Sequence, residues 1–217
     1  MTPAGSPAAD DAPATDEPAW NHNAHYHPLV LAAVPPGAAR ALDAGCGEGD
    51  LARSLARAVP QVVALDRNGP ALAVARRRDD VGGRVAYVRG DLLSAPLAPA
   101  SFDVVTAVAS LHHGDEAAGL RRMAELLRPG GRLVVVGLAR ETAGGLPFAA
   151  AIVVAHQWHH RWRHRARARS WSESTAPVVW PPPHTYPELR RLARRVLPGA
   201  RFRRHLLWRY SLTWTRP

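Results

Sequence analysis

The sequence predicts an α/β fold in which a doubly wound, mostly parallel sheet carries helices on both faces. Short apolar runs alternate with segments of helical periodicity, and this alternation is typical of sheets built from strand–helix–strand units. The strands are expected near 40–43, 61–66, 84–89, 102–108 and 132–138. The helices between them are expected near 50–58, 70–78 and 115–127.

A glycine-rich turn follows the first of these strands. Gly45, Gly47 and Gly49 alternate directly after the apolar run 41–44. Without Cβ atoms, the backbone of such a turn can bend tightly and lie against a ligand. Ligands of doubly wound sheets bind at the carboxyl ends of the strands, so the turn predicts a nucleotide-type site there.

Acidic residues indicate which cofactor this turn suits. A dinucleotide site reads G-x-G-x-x-G, whereas the spacing here is G-x-G-x-G, with Asp43 before it and Glu48 and Asp50 within reach. These carboxylates would repel a pyrophosphate but attract the sulfonium and amino groups of S-adenosylmethionine. Asp66 ends the second strand 23 residues beyond Asp43, close to the spacing at which an acid binds a ribose diol. An adenosylmethionine site is therefore predicted.

Five segments, taken in order, resemble the motifs of the class I S-adenosylmethionine-dependent methyltransferases. They are Asp43-Ala44-Gly45-Cys46-Gly47-Glu48-Gly49, Asp66, Gly90-Asp91-Leu92, Ser101-Phe102-Asp103-Val104-Val105 and the turn and strand 126–134. The resemblance spans about residues 39–138 and is closest to the branch that acts on small molecules. It implies a Rossmann-like seven-stranded sheet with an antiparallel last strand, and methyl transfer as the activity.

The resemblance also implies a set of cofactor-binding residues. The candidates are Tyr26, His27, Asp43, Gly45, Cys46, Gly47, Asp66, Arg67, Asp91, Leu92, Ala109 and Ser110. Residues 43–47 are expected at the methionine end, Asp66 at the ribose, and Asp91 with its neighbour in sequence at the adenine. Ala109 and Ser110 are expected to approach the sulfonium from the end of the fourth strand.

Histidines are the candidates for acid–base chemistry. His112 and His113 follow the fourth strand, where the crevice should open, and either could serve as a general base. The alternative is that one of them packs beside the cofactor as an ordinary polar residue. Tyr26 and His27 lie in an aromatic and polar cluster that, by the same resemblance, folds over the cofactor as a lid; a purely structural cluster is the alternative.

Four further histidines invite a metal hypothesis, which the sequence disfavours. They are His156, His159, His160 and His164. On a helix running from residue 146 to about 161 and beyond, some of them are i,i+4 pairs, but no nearby acid or cysteine completes a ligand set and interleaved arginines would repel a cation. No metal is expected. The same segment could instead form a basic, aromatic wall that favours an anionic or aromatic acceptor, or simply a solvated helix face.

The net charge of +10 is unevenly distributed. Residues 151–217 hold 14 arginines against Glu173 and Glu188, a net charge of +12, whereas residues 1–150 hold 14 arginines against 16 acids, a net charge of −2. The asymmetry suggests a surface for nucleic acid or an acidic partner. Because the chain contains no lysine and much alanine, codon bias of a GC-rich genome is the alternative explanation.

The remaining chain predicts one domain. We expect a disordered tail at 1–19, the lid at 20–38, a cofactor-binding core at 39–138, and substrate-side helices with a hairpin at 139–217. The hairpin pairs 202–207 with 210–214 after a helix that a capping box opens at Thr185. A single cysteine, no targeting peptide and no membrane-length apolar run favour a soluble cytoplasmic protein, monomeric or weakly dimeric.

Methyl transfer to a small molecule is therefore the favoured function, with two alternatives left open. The first is RNA methylation that uses the arginine-rich C-terminal third for phosphate contacts. DNA amino-methylation is disfavoured, because the fourth strand is followed by Ala109-Ser110-Leu111-His112 and not by Asn or Asp before Pro-Pro-aromatic. The second alternative is a non-catalytic, adenosylmethionine-binding regulatory protein.

Overall fold

Seven strands form one sheet in the computed structural model, which describes residues 23–142, 180–205 and 208–217. Their order across the sheet is β3-β2-β1-β4-β5-β7-β6. The strands are β1 Arg40–Ala44, β2 Gln61–Asp66, β3 Val85–Arg89, β4 Phe102–Val108, β5 Leu127–Leu138, β6 Arg201–Arg204 and β7 Arg209–Thr215. Strands β1 to β5 pair in parallel, whereas β7 pairs antiparallel with both β5 and β6. This arrangement confirms the predicted fold class.

The order of the strands positions the crevice. The chain runs outward from β1 through β2 to β3 and then returns to the other side of β1 with β4. Between β1 and β4 the connections leave in opposite directions, and this switch point is where ligands of open α/β sheets bind. In the register, Asp43 near the end of β1 lies opposite Ala64 of β2 and Thr106 of β4.

Helices cover both faces of the sheet. They are α1 His27–Ala32, α2 Asp50–Ala56, α3 Gly69–Arg77, α4 Glu116–Leu126 and α5 Tyr186–Val196. One core packs α4 and α5 against the sheet around Phe102, Met123 and Leu212, and the other packs α1 and α2 around Val30 and Leu55. Strands buried on both faces explain why the parallel part of the sequence reads as continuous apolar runs.

Side chains cap the first turns of α4 and α5. Asp115 caps α4 by accepting a hydrogen bond from the Ala118 amide at 2.9 Å. Thr185 and Glu188 form the predicted capping box of α5. Each cap satisfies amide groups that the first turn of a helix leaves without intrahelical partners.

Several predicted boundaries are wrong by a few residues. The segment between the helix predicted to end at 127 and the strand predicted to begin at 132 is part of β5 and not a separate turn, because the chain passes from α4 directly into the strand. The extra residues form a bulge: Phe102 pairs with Leu127, but Val104 pairs with Arg132. The helix predicted at 50–58 ends at Ala56, and the strand predicted at 202–207 ends at Arg204.

Three predictions fall on residues outside the described ranges. They concern the tail at 1–19, the helix from 146 to about 161, and the histidine cluster that starts at His156. Within the described ranges, no helix combines the length and apolarity needed to cross a membrane. The same ranges contain no group of three or more histidine, cysteine or acidic side chains placed to hold a metal ion.

Candidate functional site

The glycine turn closes against the end of β2. The amides of Gly45 and Cys46 both donate to the Leu65 carbonyl oxygen, at 2.7 and 3.1 Å. Gly45, Gly47 and Gly49 have φ angles of +77°, +54° and +80°, in the left-handed region that glycine adopts without strain. The alternating glycines thus let the chain reverse within one short turn before α2 begins.

Two of these glycines face different surroundings. A Cβ on Gly45 would lie 2.3 Å from the Ser110 Cβ, so the turn and the end of β4 are in direct contact there. Ser110 fixes that contact by donating its hydroxyl to the Ala44 carbonyl oxygen at 2.7 Å. A Cβ on Gly47 would meet no atom within 4 Å, so this glycine borders open space. Gly47 therefore marks the side of the turn on which a ligand fits.

This difference gives a paired prediction for the two glycines. We expect Gly45→Ala to destabilise the protein by about 3 kcal/mol or more, because the new methyl group has to displace Ser110. We expect Gly47→Ala to cost only about 1 kcal/mol in stability, from the left-handed backbone, while it weakens binding of S-adenosylhomocysteine. Thermal unfolding and calorimetry on both variants check this. Equal loss of stability in the two variants would contradict it.

Asp66 is held at the end of β2 by the turn itself. Its Oδ2 accepts a hydrogen bond from the Gly47 amide at 2.7 Å, and its Oδ1 accepts one from the Asn68 amide at 2.8 Å. Each carboxylate oxygen has a second lone pair, so the group can still accept hydrogen bonds from a ligand. The structure therefore brings Gly47 and Asp66 together and fixes the orientation of the carboxylate.

Asp43 is the most deeply buried acid near the turn. Its residue is 1% exposed, its Oδ1 lies 3.0 Å from the Thr106 hydroxyl, and its Oδ2 has no hydrogen-bond partner among the described residues. Burial raises the pKa of Asp43 to about 7; the hydrogen bond from Thr106 opposes this shift and the charge of Asp66 adds to it. A buried carboxylate oxygen without a partner costs free energy unless a ligand supplies a donor.

The other two acids of the turn form ion pairs with arginines, so their charges are not available to a ligand as the sequence suggested. Glu48 forms an ion pair with Arg78 at 2.8 Å, and Asp50 forms one with Arg53. Of the three acids, only Asp43 has no basic partner in the part of the chain that the structure describes. The attraction for a cationic ligand thus rests on one buried carboxylate rather than on three.

Cys46 lies half-buried in the turn. Burial raises the pKa of its thiol, and the nearby carboxylates of Asp43 and Asp66 raise it further. The thiol therefore stays protonated at neutral pH, which makes it a poor nucleophile. A role as a packing residue beside the ligand agrees with this position, and a role as a covalent catalyst does not.

The end of β4 turns sharply toward the glycine turn. Ala109 has a φ of +52°, a left-handed conformation that costs roughly 1–2 kcal/mol for a residue with a Cβ, and its amide donates to the Val136 carbonyl oxygen at 2.7 Å. Strained backbone of this kind is common at functional sites. The strain directs Ser110 against Ala44 and Gly45, where the resemblance places the reactive centre.

Candidates beyond β3 occupy the outer edge of the same crevice. The Gly90 amide donates to the Asp66 carbonyl oxygen at 3.0 Å, which places Asp91 and Leu92 beside the end of β2. Asp91 is exposed and its Oδ1 accepts a hydrogen bond from the Leu93 amide at 2.9 Å, while Leu92 is half-buried. Arg67 is exposed. An adenine site at Asp91 and Leu92 stays a prediction, and so does the assignment of Arg67.

His112 and His113 lie together after β4, with ring centroids 4.1 Å apart. Burial, together with the positive charges of His113 and Arg209, lowers the pKa of His112 to about 4. Burial and the positive charge of Arg67 lower the pKa of His113, and the negative charge of Asp66 offsets part of this shift. A histidine with a pKa near 4 is neutral at pH 7 and a weak base, so His112 fits an uncharged hydrogen-bonding role better than general base catalysis.

The N-terminal segment covers two different parts of this edge. His27 begins α1; burial lowers its pKa, and the carboxylate of Asp50 opposes that shift. Tyr26 is buried and packs against the His205 ring at 5.5 Å between centroids. His27 is thus near Asp50 at the start of α2, whereas the Tyr26 side chain lies beside His205 and interacts with Arg209 of β7.

One functional candidate was missed from the sequence. Arg209, the first residue of β7, is buried beside Tyr26 and donates from Nη2 to the Asn23 Oδ1 at 2.7 Å. In the sequence it is one arginine among many in a basic region. Only its place at the start of an apolar run could have distinguished it, because a charged residue there enters the sheet and not the solvent.

Comparison with known proteins agrees with this geometry. A family model described as "Methyltransferase domain" matches residues 41–131. An uncharacterized methyltransferase of Mycobacterium tuberculosis is 39% identical over 204 residues, which cover 93% of this chain and 99% of that protein. The chain belongs to the class I S-adenosylmethionine-dependent methyltransferases. It is therefore an enzyme of the methyl-transferring class, and a regulatory protein without catalysis is not supported.

More distant similarities of this methyltransferase are partial or concern the fold alone. The 2-phytyl-1,4-naphthoquinone methyltransferase of Thermosynechococcus vestitus is 38% identical over 128 residues, 57% of this chain and 54% of that protein. The YcgJ protein of Bacillus subtilis has a solved structure with a TM-score of 0.59 at 21% identity, covering 82% of this chain and 70% of that one. At this level of identity the structural likeness shows the shared fold and nothing more specific.

Proposed function

We propose that this methyltransferase binds S-adenosylmethionine at the glycine turn and transfers its methyl group to a small-molecule acceptor. The observation that carries the proposal is the buried Asp43 carboxylate, whose Oδ2 lacks a partner among the described residues beside a turn that is open at Gly47. A ligand with a cationic donor resolves both features, because it supplies the missing hydrogen bond and fills the open space.

The residues present fit this cofactor. Asp43 would pair with the ammonium of the methionine end, and Asp66 would accept from the ribose hydroxyls. When bound, S-adenosylmethionine supplies an electrophilic methyl group. Because methyl transfer is an in-line displacement, the main task of the protein is to hold the acceptor in line, and Ser110 and His112 after β4 are placed to border that position.

A small-molecule acceptor is supported by partial relatives. The ubiquinone biosynthesis O-methyltransferase of Xanthomonas axonopodis is 40% identical over 129 residues, which cover 58% of this chain and 53% of that protein. The names of this relative and of the naphthoquinone enzyme refer to quinones, which are small molecules and not nucleic acids. We propose the same class of acceptor here, and an enzyme that acts as a monomer or weak homodimer in the cytoplasm.

Calorimetry with S-adenosylhomocysteine tests the cofactor site directly. The purified protein should bind it, and methyl-labelled S-adenosylmethionine offered with a broad metabolite extract should yield a labelled small molecule. Absence of S-adenosylhomocysteine binding would contradict the cofactor assignment. Binding without any labelled small molecule would contradict the acceptor class.

RNA is a second candidate acceptor, and one surface favours it. A groove of about 400 Å³ between α5 and β6 is lined by Arg190, Arg194, Arg201 and Arg203. These arginines could bind phosphates, but the groove lies at the β6 end of the sheet, four strands from β1. A small molecule therefore remains the favoured acceptor. Label appearing in added RNA, and not in metabolites, would reverse this preference.

A further inference from the structure

Arg209 is a buried cation at the same edge of the sheet as Asp43. It lies opposite Leu138 at the end of β5, and the backbone next to it is fixed by the Ala139 amide, which donates to the Trp208 carbonyl oxygen at 2.9 Å. The residue is only 4% exposed. Burying a charge of this kind is costly unless it is paired.

No carboxylate compensates this charge among the described residues. The Nη2 of Arg209 donates to a neutral amide oxygen, Asn23 Oδ1, and the Nε has no hydrogen-bond partner. The side chains that interact with it electrostatically include Tyr26, Tyr186 and His112, none of which carries a carboxylate. Burial accordingly lowers the pKa of Arg209 to about 10, although the guanidinium stays charged at neutral pH.

The acids in this part of the molecule are engaged by other bases. Glu141 forms an ion pair with Arg204 at 2.6 Å. Glu116 lies 3.3 Å from the Nδ1 of His184, and its burial raises its pKa. Neither acid forms an ion pair with Arg209. Neither carboxylate therefore neutralises the Arg209 guanidinium.

We propose that Arg209 recognises the methyl acceptor by binding a carboxylate that the acceptor carries. This inference rests on the proposed function and specifies the acceptor chemistry. The Nε and Nη2 hydrogens of an arginine point in the same direction and match the two oxygens of a carboxylate. On this side chain the Nε is unpartnered and the Nη2 is held only by Asn23, so a carboxylate takes the free donor and replaces the amide oxygen.

The two uncompensated charges of the crevice then have matching explanations. Asp43 would pair with the cationic end of the cofactor, and Arg209 would pair with an anionic group of the acceptor. His112 follows β4, and the positive charge of Arg209 contributes to the lowering of its pKa. Because His112 stays neutral at pH 7, it adds no second positive charge, and recognition of the acceptor carboxylate depends on Arg209.

Benzoate and benzamide form a matched pair of probes for this site. They differ in charge but not in shape, and an aromatic ring suits a site next to Tyr26 and Tyr186. We expect the protein, saturated with S-adenosylhomocysteine, to bind benzoate at least about tenfold more tightly than benzamide in a calorimetric or NMR titration. Arg209→Gln should abolish the preference, and the control Arg77→Gln, an exposed position in α3, should keep it.

A second variant covers the case in which Arg209→Gln does not fold. Asn23→Asp gives the guanidinium an internal carboxylate at the position of the present hydrogen bond, so it should raise Tm and abolish the preference for benzoate. Its affinity for S-adenosylhomocysteine should not change. Equal binding of the two probes to the wild type, no binding of either, or a preference that survives in Asn23→Asp would overturn the inference. Because S-adenosylhomocysteine affinity is measured separately, failure of the cofactor assignment is recognised independently.

Discussion

Replacing Asp43 with asparagine is expected to stabilise the ligand-free protein at pH 8 and to weaken its affinity for S-adenosylhomocysteine. The folded-state pKa of Asp43 is about 7, against an ordinary value of 3.8. The folded protein therefore holds this proton more tightly than the unfolded chain, so the free energy of unfolding decreases as pH rises from about 4 to about 7 and stays low above that. Because the asparagine amide cannot ionise, the variant does not lose this free energy of unfolding at high pH.

The size of the effect follows from the same linkage. A shift from 3.8 to about 7 corresponds to an upper bound of roughly 4 kcal/mol at pH 8. Each 1 kcal/mol changes Tm by roughly 2–4 °C in a chain of this length, so a gain of several degrees should be measurable by calorimetry. The gain should shrink toward pH 4, where the wild-type carboxyl is protonated in both states.

Asp103 provides a control of opposite sign. Burial opposes its ionisation, but amide hydrogen bonds from Arg40 and Ala39 and the ion pair with Arg128 outweigh burial and lower its pKa. Because a lowered carboxyl pKa contributes stability at neutral pH, Asp103→Asn should reduce Tm at pH 8 and leave S-adenosylhomocysteine affinity unchanged. The same substitution chemistry thus gives opposite changes in stability at two sites.

Affinity is the second part of the Asp43 experiment. Without the carboxylate, an ammonium group at the turn loses a charged partner, and we expect S-adenosylhomocysteine to bind at least about tenfold more weakly at pH 8. A variant that is less stable at pH 8, or one that binds as tightly as the wild type, would show that Asp43 is a structural residue. If Asp43 lowers the stability of the ligand-free protein and strengthens ligand binding, its role is in binding and not in folding.

The sequence was sufficient for those features that depend on neighbouring residues. The alternating glycines after β1, the acids at the ends of β1 and β2, and the capping box at Thr185 each have a local signal, and each lies in the structure at the element where the sequence puts it. The parallel core is similarly readable, because strands buried on both faces are apolar throughout. The glycines and the acids lie in the part of the crevice where we propose that the cofactor binds.

The part of the crevice where we propose that the acceptor binds depends on contacts between distant parts of the chain. Arg209 meets Asn23 across 186 residues of sequence, and no periodicity predicts this pair. In the same way, the pairing of Glu48 with Arg78 across 30 residues removes a charge that the sequence analysis counted as available. Where charges are neutralised or left unpaired is decided by tertiary packing, and sequence patterns report only where charges occur.

Asp66→Ala is the other substitution with a large expected effect. If Asp66 accepts from both ribose hydroxyls, its loss should weaken S-adenosylhomocysteine binding roughly 100-fold, the equivalent of about two charge-assisted hydrogen bonds. The structure adds a cost that the sequence did not predict, since Asp66 also accepts from the amides of Gly47 and Asn68. We therefore expect a loss of about 1 kcal/mol in stability alongside the loss of affinity.

A thermodynamic cycle separates the ribose contact of Asp66 from its support of the turn. S-adenosylhomocysteine and its 2′-deoxy analogue should differ in affinity for the wild type, and this difference should disappear in Asp66→Ala if the carboxylate binds the ribose. Asn68→Ala is the matched control, because it removes the side-chain cap of α3 at Ala71 and should lower stability by a similar amount without changing the discrimination. If Asp66→Ala discriminates between the two ligands as well as the wild type does, Asp66 only braces the Gly47 amide, and the ribose is bound elsewhere in the crevice.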